Sequence, residues 1–318
     1  MEAILTTILA LVIVGVASDL IVDSAVALSV RFGLPKVVVG VVVLGYASGL
    51  PELTASAIAS YKNLGGVALG SVIGSNTINA TLVISAGAII APIILESKLI
   101  AREGIIAIST TLLFTIAAFL GMGRPEAFLE ILAFIVVTFV LIKGSAATVD
   151  RELESESGKV ERELALARLI TRFPPALVLS VGLIAMIAGA QLLINGVVGL
   201  ISEFHIQQGV AGAIILATGA TLPELFNSIA AARRNESEIL VGNVFGEIIF
   251  NSTIVGGFAG VFHAGTLTHA MKVGPLFIML ACVLATTILL IRGRSIGRNK
   301  SVVLLMAYVV ALATITFS

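Results

Sequence analysis

The chain has 318 residues, of which 58% are hydrophobic and only 12% charged, with zero formal net charge and a mean hydropathy of +1.12. A water-soluble domain carries about a quarter charged residues, so this composition excludes a soluble enzyme and a disordered chain, and the balanced charge without a basic patch excludes nucleic-acid binding. The single Cys282 excludes a disulfide framework and a cysteine-rich metal cluster, and with no Trp and three His neither a cofactor cage nor a His-ligated metal is expected. What remains is an all-α protein that crosses a bilayer many times, its function carried by embedded polar groups.

Ten apolar runs approach the roughly 20 residues that cross about 30 Å of hydrocarbon. They are predicted near 3–30, 38–60, 66–94, 104–121, 126–142, 174–202, 209–232, 239–262, 273–291 and 300–317. The first begins at residue 3 without a basic leader and reads as a retained helix, not a signal peptide. Lys and Arg then orient the spans. Sixteen of the 19 fall in alternate connections on one side, including Arg31 and Lys36, Arg233 and Arg234, and six between Lys143 and Arg172. The other side receives Lys62, Arg124 and Lys272. This asymmetry predicts both termini outside and the 143–172 stretch in the cytoplasm, in what is expected to be a prokaryotic cell membrane. The 144–172 link mixes six acids with its basic residues. It lacks the Gly-centred spacing of a calcium loop, so it reads as a solvated linker or surface helix and not as a cation sensor.

The two halves repeat. Gly40 to Thr81 aligns without gaps on Gly212 to Thr253 at an offset of 172, with 14 identities in 42 positions. Leu50-Pro51-Glu52-Leu53 falls on Leu222-Pro223-Glu224-Leu225, Asn63 on Asn235, Gly74 on Gly246 and Asn79 on Asn251. Each unit (1–143 and 173–318) holds five predicted spans, an odd number, so the second enters the bilayer from the opposite side. Two inverted five-helix repeats are the architecture of secondary transporters, with binding at the midplane where interrupted helices meet.

Five acids are read as embedded: Asp19, Asp23, Glu52, Glu224 and Glu247. All 19 basic residues are assigned to connections or span ends, so none is left inside to neutralise these acids. A charge at the bilayer centre costs about 2.5–3.5 kcal/mol on insertion scales, and the acids therefore call for protons, interfacial hydrogen bonds or bound cations. Glu52 and Glu224 each follow a proline in mid-span. Proline frees backbone carbonyls, and in a membrane such carbonyls are tolerated where they line a cavity. Carbonyls beside a carboxylate suit hard cations. Ser71, Ser75 and Asn79, spaced i, i+4, i+8, share a helix face, and Asn243, Glu247 and Asn251 repeat the spacing one offset later. Ser48, Glu52 and Ser56 do the same in span 2, and Glu224 and Ser228 in span 7. Ser56, Ser71 and Ser228 suit helix contacts as well as ion ligation. Asp19 and Asp23, whose repeat mates are the neutral Gln191 and Asn195, read as a helix anchor or interfacial hydrogen bond.

Ser48-Gly49-Leu50-Pro51-Glu52-Leu53 and Ala220-Thr221-Leu222-Pro223-Glu224-Leu225 resemble the paired alpha-repeat motifs of the cation/calcium exchanger superfamily of ten-helix antiporters. Gly70-Ser71-Val72-Ile73-Gly74-Ser75-Asn76 and Gly242-Asn243-Val244-Phe245-Gly246-Glu247 are similar to its second pair of motifs, and Ala17–Asp23 resembles its first helix. The resemblance implies that Glu52 and Glu224 are central calcium ligands and that Ser48, Thr221, Ser75, Asn79 and Asn251 line calcium and sodium subsites. The sequence departs from the pattern where Gly49 and Ala220 remove hydroxyls, where Glu247 replaces a serine, and where Asn251 stands in place of an acid. Phe245–Asn251 is similar to the mitochondrial sodium/lithium/calcium exchanger branch.

The expected function is antiport of calcium against sodium or protons by alternating access, spans 1 and 6 rocking against spans 2, 3, 7 and 8, without a prosthetic group and as a monomer. A proton-coupled exchanger without sodium coupling and, further off, a cation channel with an acidic ring are the alternatives. An intramembrane enzyme lacks a nucleophile–base pair. Glu247 is expected to face the same cavity as Glu224. One calcium neutralises two of the three carboxylates, leaving the third to hold a proton or a monovalent cation.

Overall fold

A computed structural model describes residues 2–95, 99–145, 173–203, 221–261, 267–293 and 295–316. The helices are α1 (Glu2–Phe32), α2 (Lys36–Tyr61), α3 (Gly65–Ile90), α4 (Leu99–Leu120), α5 (Arg124–Ser145), α6 (Pro175–Glu203), α7 (Leu222–Arg233), α8 (Ser237–Val261), α9 (Pro275–Gly293) and α10 (Arg298–Thr316). Among the described residues eight helices are long and apolar enough to span a membrane. The two other predicted spans correspond to α10 and to α7. The start of the latter span, 209–220, lies outside the described residues, as does 146–172 of the predicted link. A two-stranded antiparallel ladder, Ile93 opposite Ile296 and Ile94 opposite Ser295, ties the end of α3 to the start of α10.

The offset of 172 recurs in the backbone. Leu50–Tyr61 and Leu222–Arg233 have equivalent bounds, as do Gly65–Ile78 and Ser237–Phe250. The turns between them carry left-handed asparagines, Asn63 (φ 62°) and Asn235 (φ 58°). Each turn closes with a matching six-residue hydrogen bond, Leu64 N–H to Ala59 O (2.8 Å) and Glu236 N–H to Ala231 O (2.9 Å). Asn is the residue other than Gly that best tolerates this conformation at a helix end. π-helical segments also match: Asn79–Val83 within α3 and Asn251–Val255 within α8.

At the centre lies α8, almost wholly buried, whereas most of α5 is not. It reaches that position through glycines. A Cβ on Gly45 would stand 2.7 Å from the Asn243 carbonyl oxygen, and one on Gly40 would stand 2.8 Å from that of Ile239. Gly242 and Gly246 in turn abut the backbone of Val37 and Val41. Small residues let membrane helices approach to backbone contact. Positions 40 and 45 meet 239–243 and 243–247 in the same order, so α2 and α8 run in parallel. The short Asn63 turn reverses α2 into α3, and α3 therefore runs against its repeat mate α8, the relation an inverted repeat requires.

Outside this core, α1 and α6 form a long antiparallel pair. Gly182, Gly189, Gly196 and Gly199 pack in turn on Ile21, Val14, Thr7 and Ala3. The pair is fastened to the core by Arg234, just past α7. Its guanidinium donates to Asp23 through Nε and Nη2 (2.5 and 3.1 Å) and to Asp19 through Nη1 (2.7 Å). This anchor agrees with the interfacial reading of the two aspartates, and it corrects the expectation that no basic residue was left for them. Its side chains are 28–48% exposed, so solvent screens much of the attraction. Arg234→Gln is expected to cost about 1 kcal/mol. In thermal unfolding in detergent, the gap to wild type should close at roughly 1 M salt, where the Debye length is about 3 Å. A gap insensitive to salt would make Arg234 a packing residue.

Candidate functional site

Both glutamates of the Leu-Pro-Glu-Leu repeats sit in the first turn of an α-helix. In α2 a π-helical stretch, Val39–Gly45, leads through Tyr46–Ser48 to a break at Gly49, and the α-helix resumes at Leu50. Proline falls in the first turn of both helices, where its missing N–H removes no helical bond. Pro51 and Pro223 thus start helices and do not kink them in mid-course. Matching bonds open the two helices, Leu53 N–H to Gly49 O (3.0 Å) and Leu225 N–H to Thr221 O (3.1 Å). Glu52 and Glu224 occupy these first turns, where the helix dipole favours negative charge.

Glu247 of α8 completes a cluster. One carboxylate oxygen each from Glu52, Glu224 and Glu247 lie within 4.8 Å of one another. Glu224 and Glu247 are buried (1% and 0% exposed), and Glu52 is half-buried. Glu52 Oε2, Glu224 Oε2 and both oxygens of Glu247 are enclosed without a hydrogen-bond partner. Among the described residues none of the three has an ion pair. Such a concentration of acceptors and negative charge is the chemistry of a cation site.

The other predicted site residues separate into groups. Asn79 faces Glu247. Ser75 and Asn251 face one another, Asn251 Nδ2 donating to Ser75 Oγ at 3.0 Å. Ser48, beside the α2 break, donates to the Gly45 carbonyl (3.2 Å), and Thr221, buried, stands at the N-terminal boundary of α7. Ser71 is exposed and bonds to Ala68 O of its own helix. Ser56 and Ser228 serve packing through a symmetric pair of bonds: Ser56 donates to Val255 O (3.3 Å) and Ser228 to Val83 O (2.8 Å).

The sequence reading missed two buried acids. Glu103 lies at the start of α4, its carboxylate 2.7 Å from Arg102. Glu130 is fully buried in α5 with neither oxygen hydrogen-bonded. Glu130 stands inside the predicted 126–142 span, so a complete count of acids along the spans finds it. Asn227, one turn after Glu224, is buried with its Oδ1 unsatisfied and was visible as an i+3 neighbour on the same helix face.

The fold has counterparts among known proteins. Residues 2–143 and 175–317 match the profile of the sodium/calcium exchanger protein family. The chain belongs to the sodium/calcium exchanger family. Within it, the sodium/calcium exchanger MaX1 of Methanosarcina acetivorans is 27% identical over 98% of both chains. The inner membrane protein YrbG of Escherichia coli is 27% identical over 96% of this chain and 94% of its own. The solved structure of the sodium/calcium exchanger from Methanococcus jannaschii superimposes with a TM-score of 0.83, covering 98% of this chain and 97% of that one at 24% identity, which fixes the ten-helix exchanger fold. This member of the family is an integral membrane protein, and its two motif pairs supply the carboxylate cluster.

Proposed function

We propose that this exchanger carries calcium across the membrane in antiport with sodium or protons, with Glu52 and Glu224 as the calcium ligands and Glu247 as the third embedded charge. The observation that carries the reading is the meeting of three carboxylates within 4.8 Å, contributed by both halves and, among the described residues, without a basic partner. Three negative charges at that spacing need cations to balance them. Because calcium and its counter-ion draw on the same oxygens, binding of one displaces the other, which is the requirement for exchange. The break in α2 beside the site favours an occluded cavity over the open acidic ring of a channel. All three carboxylates come from one chain, so a monomer suffices. The Lys and Arg distribution supports both termini outside, with 143–172 in the cytoplasm.

Calcium uptake into proteoliposomes under a sodium gradient alone, and under a pH gradient alone, tests the reading and identifies the counter-ion. Saturable uptake that requires a cation on the opposite side is expected. Conductive flux without a counter-ion would replace the exchanger by a channel.

Protons compete with metal ions for carboxylates, so Glu247 should make exchange pH-dependent. Glu247→Gln imitates the protonated side chain permanently. Calcium exchange by this variant is expected to have a flatter pH profile than wild type. An unchanged profile would remove Glu247 from the transport cycle.

A further inference from the structure

The inverted repeat lets the two faces of the protein be compared within one molecule. Leu50–Tyr61 and Leu222–Arg233 are repeat mates, yet they are covered unequally. Ile58 is 50% exposed and its mate Ala230 only 3%. Pro51 and Thr54 are exposed, whereas their mates Pro223 and Phe226 are half-buried. The cover on the second helix is α1, which lies along α7 and shares a core cluster with Phe226. Among the described residues α6, the repeat mate of α1, makes no comparable packing on Leu50–Tyr61. The covered end is also the one with a charged fastening, Arg234 on Asp23 and Asp19 of α1. At the offset of 172 the counterpart of Arg234 is Lys62, and those of the aspartates are Gln191 and Asn195 of α6. Both amides are exposed and bond to each other, Gln191 Nε2 donating to Asn195 Oδ1 at 3.2 Å. Among the described residues Lys62 has no ion pair.

We propose that the clasp of Arg234 on Asp19 and Asp23 is a one-sided latch. It holds the Arg234 face of the exchanger closed, while the uncharged Gln191 and Asn195 leave the Lys62 face without an equal fastening, so the molecule favours the state open toward Lys62. The inference rests on the exchange reading above and names the residues that set its sidedness. Inverted repeats alternate by exchanging roles, one bundle rocking against the other around a fixed site. In the exchanged state α6 would cover Leu50–Tyr61 and α1 would leave α7, breaking the bonds from Arg234. Lys62 would then meet amides and not carboxylates. Charge-assisted, bidentate hydrogen bonds are stronger than those of a cation to neutral groups, although solvent reduces the difference at exposed positions. Arg234, Asp19 and Asp23 act through α1 and not on the ion, so they are positioning residues. Apparent affinity on a face is the intrinsic affinity reduced by the fraction of carriers open to that face. The latch therefore strengthens calcium binding on the Lys62 face and weakens it on the other.

The test compares the two faces. Initial rates of calcium uptake are measured in right-side-out and inverted membrane vesicles from cells expressing the full chain, with the trans cation saturating and Glu52→Gln vesicles as background. Under the orientation proposed above, right-side-out vesicles present the Lys62 face. In Arg234→Gln, half-saturating calcium is expected to fall several-fold on the Arg234 face and to hold or rise on the Lys62 face, with Arg234→Lys in between. The double substitution Gln191→Asp and Asn195→Asp offers Lys62 the missing carboxylates and should shift the ratio of the two values in the same direction. Both positions are exposed, so this variant keeps the test decisive if Arg234→Gln does not fold. A packing role for Arg234 would move both faces together or neither. A ratio that is unchanged, or that moves the other way, would overturn the latch while leaving exchange intact. Absence of saturable exchange in wild type would overturn the exchange reading, and the latch with it.

Discussion

Replacing either Glu52 or Glu224 by glutamine is expected to abolish calcium exchange while leaving folded protein in the membrane. Glutamine keeps the shape of the side chain and an amide oxygen but removes the charge that balances a divalent ion. Removing one member of a buried charge pair costs roughly 2–5 kcal/mol of binding, a loss of about 30-fold to several thousandfold in affinity. The unloaded fold suffers no comparable penalty, because the three carboxylates repel one another within 4.8 Å and a neutral amide relieves part of that repulsion. Unfolding temperatures in detergent should therefore match or exceed wild type, while uptake into proteoliposomes falls to background. Transport at the wild-type rate in either variant would show that the cluster is not the calcium site.

The second large effect concerns a glycine and its own repeat mate. A Cβ added at Gly246 would collide with the Val41 carbonyl oxygen and stand 2.6 Å from its Cα, whereas one added at Gly74 meets nothing within 4 Å. Backbone cannot rotate out of the way as a side chain can, so Gly246→Ala forces α2 and α8 apart. Overpacking typically costs about 1–3 kcal/mol, and Glu247, next in sequence, moves with the displaced backbone. Gly74→Ala should be neutral or stabilising by roughly 0.5–1 kcal/mol, the helix-propensity gain over glycine. Thermal unfolding of the two variants and their calcium affinities compare the sites directly. Equal tolerance at both would mean that α2 and α8 do not meet through their backbones.

Much of this arrangement can be read from the residues. The ten apolar runs locate the helices because each span must be apolar over its full length. The offset of 172 foretells paired elements down to the asparagine turns, since Asn63 and Asn235 recur for a backbone reason. Glu52, Glu224 and Glu247 are legible as a group because acids are costly to embed without purpose. Other features escape because no local pattern encodes them. Arg234 reaches Asp23 and Asp19 from 211 and 215 residues away, and in sequence it is one more cation at a helix end. The hydrogen bond that joins Asn251 to Ser75 depends on how α3 and α8 cross, so two residues that read as free ligands on separate stripes prove to be partners. The π-helical segments shift the faces of their helices by the equivalent of an inserted residue, which periodicity based on an unbroken α-helix cannot anticipate.

The hydroxyl bonds from Ser56 to the Val255 carbonyl and from Ser228 to that of Val83 bear on how the protein is made. They cross-stitch the two halves: a serine of α2 and a serine of α7 are each fastened to the last residue of the other half's π segment. Sequence separations of 199 and 145 residues place these contacts among the slow, non-local events of folding. During synthesis, α2 and α3 enter the bilayer long before the ribosome has produced α7 and α8, so Glu52 waits in the nascent chain without its eventual neighbours. The cation site is consequently a late product of assembly, completed when the second half threads back into the first. A chain truncated before Leu222 would display half a site and an exposed carboxylate, a signal by which membrane quality control could recognise an unfinished molecule.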